Sequence, residues 1–316
     1  MDLKLEHYIF FTVKLKRMLV KKLSLIAMTL SFSILGICQS GNSFFNKGVA
    51  KYNKLDYKGA IENYTKAIEF NPKDAKAYVS RGIAKYYLQD YNGAIADQLK
   101  ALEINPKYSD AYFNIGDCNY NLQNYSATIE NYTKAIELNN KDVMAYMSRG
   151  FTKQYIKDFA GAVSDFTSAI KIKPNLAEGY ASRGIAKSYL GDFQNAITDF
   201  SKSISIYQSP DVYFNRANAK KALNDFKAAL IDYNKSIELN PKLYKVFYNR
   251  GLTRASLNDY NGALEDFNKA LEIEPHYGDA YYNRGIIKIK LGLKDDGSLD
   301  LKKANEFSQV DARNAL

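Results

Sequence analysis

The sequence predicts an all-α fold, an α-solenoid of eight tandem helix–turn–helix repeats, and three observations predict it. The pattern of residues 244–277 recurs with a period of 34 residues, from Gly41 to about Asp311. Within each period apolar residues fall twice at helical spacing. Turn-forming residues separate the two runs at fixed offsets. A short internal period of this kind belongs to units that bury their apolar faces only against neighbours.

In the first helix of each repeat the fourth place is aromatic: Phe44, Tyr78, Tyr112, Tyr146, Tyr180, Tyr213, Phe247 and Tyr281. Four residues on comes a residue with almost no side chain: Gly48, Gly82, Gly116, Gly150, Gly184, Ala217, Gly251 and Gly285. Glycine costs about 1 kcal/mol in a helix interior, so its repeated use implies that another backbone approaches too closely for anything larger. The second helix carries small residues seven apart, such as Ala60 and Ala67 or Ala162 and Ala169, among an apolar stripe. Between the helices an acid precedes an aromatic residue, as in Asp56-Tyr57, Asp158-Phe159 and Asp259-Tyr260, which supplies an N-cap. Asn71-Pro72, Asn105-Pro106, Lys173-Pro174, Asn240-Pro241 and Glu274-Pro275 stop the second helix, because proline lacks the amide to continue it.

This unit resembles the tetratricopeptide repeat, over about 270 of the 316 residues. The resemblance implies a right-handed superhelix whose first helices line a concave face. Its repeats fall at about 41–74, 75–108, 109–142, 143–176, 177–209, 210–243, 244–277 and 278–311. Two repeats depart from the pattern. The fifth is one residue short, with Gln208 where proline belongs and Ser209-Pro210 after it, which predicts an altered turn. The third has Thr128 and Asn140 in place of Ala and Pro. In the last repeat Ser298 and Asn305 replace apolar residues, which suits a terminal unit, and residues 308–316 are expected to form a frayed tail.

Residues 1–38 read as a signal peptide ahead of a short linker, 39–42, and a solenoid at 43–307. Lys14, Lys16, Arg17, Lys21 and Lys22 precede an apolar run from Leu23 to Ile37. That run is shorter than the roughly 20 residues a spanning helix needs. Met18 is an alternative start, and cleavage is expected after Cys38. A lipoprotein anchor at Cys38 is the alternative, with Ile37 departing from the small residue such a signal has there; an uncleaved anchor is the third reading. The chain is therefore expected to be exported, periplasmic or secreted, and of bacterial envelope type. Its net charge of +10 falls to about +6 without the leader. Lysines spread over all repeats give no nucleic-acid footprint. With Cys38 in the leader, Cys118 stands alone, so no intrachain disulfide forms, and a small packed role is expected for it.

Six repeats carry Arg at position seven and Asp sixteen residues later: Arg81/Asp97, Arg149/Asp165, Arg183/Asp199, Arg216/Asp232, Arg250/Asp266 and Arg284/Asp300. The two repeats without Arg, at Lys47 and Ile115, have Asn63 and Asn131 instead. The matching predicts a partly buried ion pair between the two helices of one repeat. The alternative is a ladder of arginines holding phosphate or carboxylate.

The resemblance implies a concave groove that takes an extended peptide or a partner's helix. Its expected lining is Tyr86, Tyr87, Phe113, Tyr120, Met147, Phe151, Tyr155, Tyr189, Tyr248 and Tyr282, with Phe45, Val79, Ile83, Ile185 and Phe214 beside them. Tyrosine offers large contact area with little side-chain freedom to lose. The competing expectation is that many of these rings pack against neighbouring repeats. The Lys–Asn clamp by which some relatives hold a terminal carboxylate has no counterpart at Phe45 and Val49 or at Val79 and Ile83. Catalysis has little support, since the histidines are His7 and His276 alone and no cluster has metal-ligand spacing. No cofactor is expected. The reading is a non-enzymatic protein-interaction module. The alternative is a membrane-tethered envelope scaffold acting through convex and edge surfaces, and a third reading binds acidic glycans through Lys85, Lys187 and Arg254.

Overall fold

A computed structural model describes residues 39–314, with side chains over residues 41–307. Among the described residues there are sixteen helices and no strand. They form two compact units, one ending at Pro174 and the other beginning at Asn175. The first contains α1 (Gln39–Asn53), α2 (Tyr57–Phe70), α3 (Ala75–Tyr87), α4 (Tyr91–Ile104), α5 (Ser109–Asn121), α6 (Tyr125–Leu138), α7 (Val143–Tyr155) and α8 (Phe159–Ile172). The second contains α9 (Ala177–Tyr189), α10 (Phe193–Ile206), α11 (Pro210–Ala222), α12 (Phe226–Leu239), α13 (Tyr244–Ser256), α14 (Tyr260–Ile273), α15 (Gly278–Lys290) and α16 (Lys294–Asn314). Each odd-numbered helix packs on the next as a hairpin, and within each unit each hairpin packs on its successor, which makes an α-solenoid.

The leader lies outside the described residues. Two boundaries move: residues 39–42 begin α1 instead of forming a linker, and α16 runs on to Asn314 through most of the expected tail. Neither stretch contains a proline, and Gly41 is held within the first turn of α1. Between α10 and α11 the chain makes the shorter turn that the missing residue predicts. Tyr207 is extended at φ −149°, ψ 124°, and Pro210 occupies the first turn of α11.

The turn within each hairpin is built the same way seven times over. The Asp56, Asp90, Asp158, Asp192, Asp225 and Asp259 carboxylates, and the Asn124 amide oxygen, each accept from the backbone N–H three residues on. One residue before each cap the backbone turns left-handed, with φ of 60–66° at Leu55, Gln89, Gln123, Lys157, Asn224 and Asn258. Gly191 takes that place at φ 79°, where it avoids the Cβ penalty. Asp158→Ala should lower unfolding stability by about 1 kcal/mol, checked by chemical denaturation.

In five first helices the glycine answers to a different neighbour from the backbone that its helical cost suggests. A Cβ on Gly48, Gly116, Gly150, Gly184 or Gly251 would sit 2.6–2.9 Å from the ring of Tyr64, Tyr132, Phe166, Phe200 or Phe267. These rings, all at most 1% exposed, come from the second helix of the same hairpin. An aromatic side chain, not a backbone, excludes the methyl group there. Gly285 is the case where a backbone does, with the Gly297 carbonyl 2.9 Å from the built Cβ.

Candidate functional site

A charged cluster recurs in six of the hairpins. In repeat four, Arg149 donates from Nε and Nη2 to the two Asp165 oxygens at 3.0 and 2.6 Å, a bidentate pair. The same geometry joins Arg81 to Asp97, Arg183 to Asp199, Arg216 to Asp232 and Arg284 to Asp300. Arg250 likewise meets Asp266 through Nε and Nη2. Each guanidinium also lies over the aromatic ring three residues earlier, 5.1–5.8 Å from its centroid, which explains the fourth-place aromatic.

Two members of each cluster are not evident from pairing alone. A second cation, one turn after the arginine, reaches the same carboxylate at 2.6–3.0 Å: Lys85, Lys153, Lys187, Lys220, Arg254 and Lys288. The signal was present, as Lys or Arg four places after Arg in those six repeats. The arginine also reaches back with Nη1 to the preceding hairpin. Its acceptors are Thr65, Thr133, Ser201, Asn234 and Asn268, at 2.7–3.1 Å. One side chain thus ties two helices of its own hairpin to a third helix. Burial weakens the Asp300 carboxylate's charged form, but Arg284 and Lys288 outweigh it and hold the group below the usual carboxylate range.

This arrangement corrects one reading. Lys85, Lys187 and Arg254, which a glycan site would require, spend their charge on Asp97, Asp199 and Asp266. In the two repeats without arginine, Asn63 and Asn131 instead donate to the carbonyls of Gly59 and Ala127 in their own helices.

The expected groove lining divides. Phe113, Met147, Phe151 and Tyr120 are 2%, 1%, 7% and 9% exposed, so they are core residues, and Val79 and Ile185 are buried with them. Phe113 packs on Tyr132, and Phe151 packs edge-on against Phe166. Their place on the helix faces their own hairpin more than the inner surface. Tyr86, Tyr87, Tyr155 and Tyr248 are half-buried, while Tyr189 and Tyr282 are exposed at 39% and 54%.

The half-buried rings form chains. Tyr57 stacks on Tyr87 at 4.9 Å, with Tyr52 and Tyr86 at the edges of Tyr87, and Tyr155 lies 4.8 Å from Tyr125. Amides thread between them: Asn121 donates to the Tyr86 hydroxyl at 2.9 Å and Asn283 to that of Tyr248 at 3.0 Å. Burial pushes the Tyr87 and Tyr248 hydroxyls up to about 12, so both stay neutral donors and acceptors.

Cys118 is buried at 1% exposure, in the packed position its neighbours in the pattern predict. At the last repeat, Ser298 and Asn305 are exposed as expected. Beside them a cleft of about 470 Å³ opens between Tyr277, Tyr282, Leu301 and Ala304. Among the described residues no group of His, Cys, Asp and Glu is placed to hold a metal ion. No described helix is long and apolar enough to cross a membrane.

Two family models described as tetratricopeptide repeat match residues 210–243 and 244–277, and residues 75–108, 109–142 and 177–210. A third, described as TPR repeat, matches residues 48–89, and the three together span more than half of the chain. No curated protein matches this sequence. Among solved structures, the C-terminal part of a TPR repeat-containing protein from Cytophaga hutchinsonii is similar at TM-score 0.64 and 20% identity, over 75% of this chain and 97% of that one. PilW, a type IV pilus biogenesis factor, is similar at TM-score 0.54 and 19% identity, over 64% of this chain and 94% of its own. The Cut9–Hcn1 structure of the APC/C is similar at TM-score 0.54 and 15% identity, over 88% of this chain and 55% of that one. At these identities the likeness is one of fold.

Proposed function

The chain belongs to the tetratricopeptide-repeat family, and from that premise we propose a non-enzymatic module that binds an extended peptide segment of a protein partner. The binding surface is the inner face formed by the first helices of the hairpins. One observation carries this reading: the repeated cations are neutralised within their hairpins, which leaves half-exposed tyrosines and amides as the chemistry the first helices offer. Tyr87 and Tyr155 in the first unit, and Tyr189, Tyr248 and Tyr282 in the second, supply contact area, and Asn218 and Asn249 are partly exposed on first helices of the second unit. Neighbouring first helices also approach one another within each unit, as helices on an inner curve do.

A second reading rests on a different surface. Leu88, Leu122, Ile156, Leu190, Leu223, Leu257 and Leu291 repeat at the hairpin turns and are 39–52% exposed. An envelope scaffold acting through its edges would use that row. Export remains part of the proposal, supported by the basic and apolar stretches of residues 1–38.

Affinity capture from the native cell envelope, read by mass spectrometry, separates the two readings. Tyr189→Ala with Tyr282→Ala should abolish capture of the partner while leaving the melting temperature within a few degrees of wild type. Loss of the partner in Leu122→Ser with Leu223→Ser, and not in the tyrosine pair, would favour the edge.

A further inference from the structure

Each junction between hairpins shows what one repeat accepts on its open side. A small residue at the third place of the next first helix is seated first. Ala111 packs with Val79, Ala101 and Leu102 of the repeat before, and Ala77 and Ala145 are seated alike. Four residues on, place seven of that helix meets a second position of the repeat before. Thr133 and Ser201 stand there as oxygen acceptors for arginine, and where Leu99 stands there instead, place seven is Ile115. The two residues vary together, so the one predicts the chemistry of the other.

In the eighth repeat both seats are present and open. α16 runs on to Asn314, through Gln309 where the pattern has its proline, so the turn that brings a next first helix onto this face is missing at its place. The cleft of about 470 Å³ lies between Tyr282 and Ala304, where the third-place residue sits in the other junctions. Tyr282, Ile286 and Ile289 of α15 are exposed along it. At the position of Thr133 and Ser201 stands Lys302, exposed and with no carboxylate partner among the described residues.

We propose that this end face of the second unit docks an amphipathic helix of a partner protein, with Ala or Gly seated in the cleft and Glu or Asp four residues on, against Lys302. The apolar rings and the lysine are the two complementary features such a helix reads. Asp279 lines the cleft itself, which sets any cation of the occupant beside the small residue and the acid beyond it. A second copy of this chain is the wrong occupant. Its α1 would bring Lys47 to Lys302, and like charges brought together oppose the open head-to-tail assembly that such stacking would build. Tyr282 is shared with the inner face, but the docking does not depend on what the groove holds.

The test uses hydrocarbon-stapled peptides with the sequence of α3, Ala75–Tyr87, in which Arg81, at place seven, is kept or replaced by Glu or Gln. Binding to the full chain is read by fluorescence anisotropy at constant salt. Wild type should bind the Arg81→Glu peptide about fivefold more tightly than the Arg81→Gln peptide, as one exposed ion pair allows, and the Arg81 peptide most weakly. The Lys302→Glu chain should reverse that order. Binding of all three alike, or a preference unchanged by Lys302→Glu, overturns the docking face and leaves the groove reading standing. Failure of all three to bind overturns it as well. Light scattering supplies a second arm. Lys47→Arg with Lys302→Thr restores the pair found at Arg81 and Thr65, and that chain should self-associate where wild type does not. A double variant that does not associate would show that Lys302 does not decide what the face accepts. Wild-type association that Ile286→Asp abolishes would give the face to a second copy and overturn the partner helix.

Discussion

Replacing Asp165 with alanine should destabilise the protein by about 3–5 kcal/mol, the range for removing one partner of a buried ion pair. The side chain of Asp165 is 3% exposed, and it neutralises both Arg149 at 14% and Lys153 at 18%. Without it Arg149 and Lys153 lose the carboxylate that both pair with in a partly desolvated place. The chain itself provides the control. Repeat three has Ile115, Asn119 and Asn131 where repeat four has Arg149, Lys153 and Asp165. The triple variant Arg149→Ile, Lys153→Asn, Asp165→Asn should therefore recover much of the loss, as replacement of whole buried clusters often does. Chemical denaturation of the two variants beside wild type decides it. An Asp165→Ala protein that unfolds like wild type would show that the cluster does not hold the hairpin together.

Phe166→Ala should cost about 3–5 kcal/mol, for the lost transfer free energy and the cavity between α7 and α8. The ring is fully buried and lies against Gly150, so the two residues form one packing unit. Gly150→Ala gains up to about 1 kcal/mol of helix propensity but meets ring atoms at 2.7 Å, an overpacking cost of about 1–3 kcal/mol. Repeat six already carries the alternative, Ala217 packed with the buried Tyr233. The clash is thus relieved by moving the ring, and Gly150→Ala should cost less in a Phe166→Leu background than alone. A double-mutant cycle by thermal unfolding measures the coupling. Additive effects would show that ring and glycine do not constrain each other.

The fold was legible because each element is written locally and then repeated. Asp158 marks a helix start and Pro174 follows a helix end without reference to anything distant, and a 34-residue period does the rest. The Arg–Asp pairing was legible too, since Asn131 departs together with Ile115. What crosses between hairpins was harder to see. Thr133, Ser201 and Asn268 all accept from arginine, yet they share no residue type, only an oxygen acceptor at one offset. The groove was legible only in part, because the buried face and the inner face of a first helix adjoin within one turn. Phe113 and Tyr248 occupy the same place in the pattern, and packing buries the first while leaving the second half-exposed.

The central claim is that the repeated charges are structural staples between hairpins, which leaves the first helices' rings and amides for a partner. Hydrogen exchange on the Arg149→Met variant tests it most directly. Loss of the bond to Thr133 and of the pair with Asp165 should speed amide exchange in α6, α7 and α8, with repeats six to eight unchanged. Exchange identical to wild type along the whole chain would contradict the claim and return the arginines to the role of ligand-binding groups.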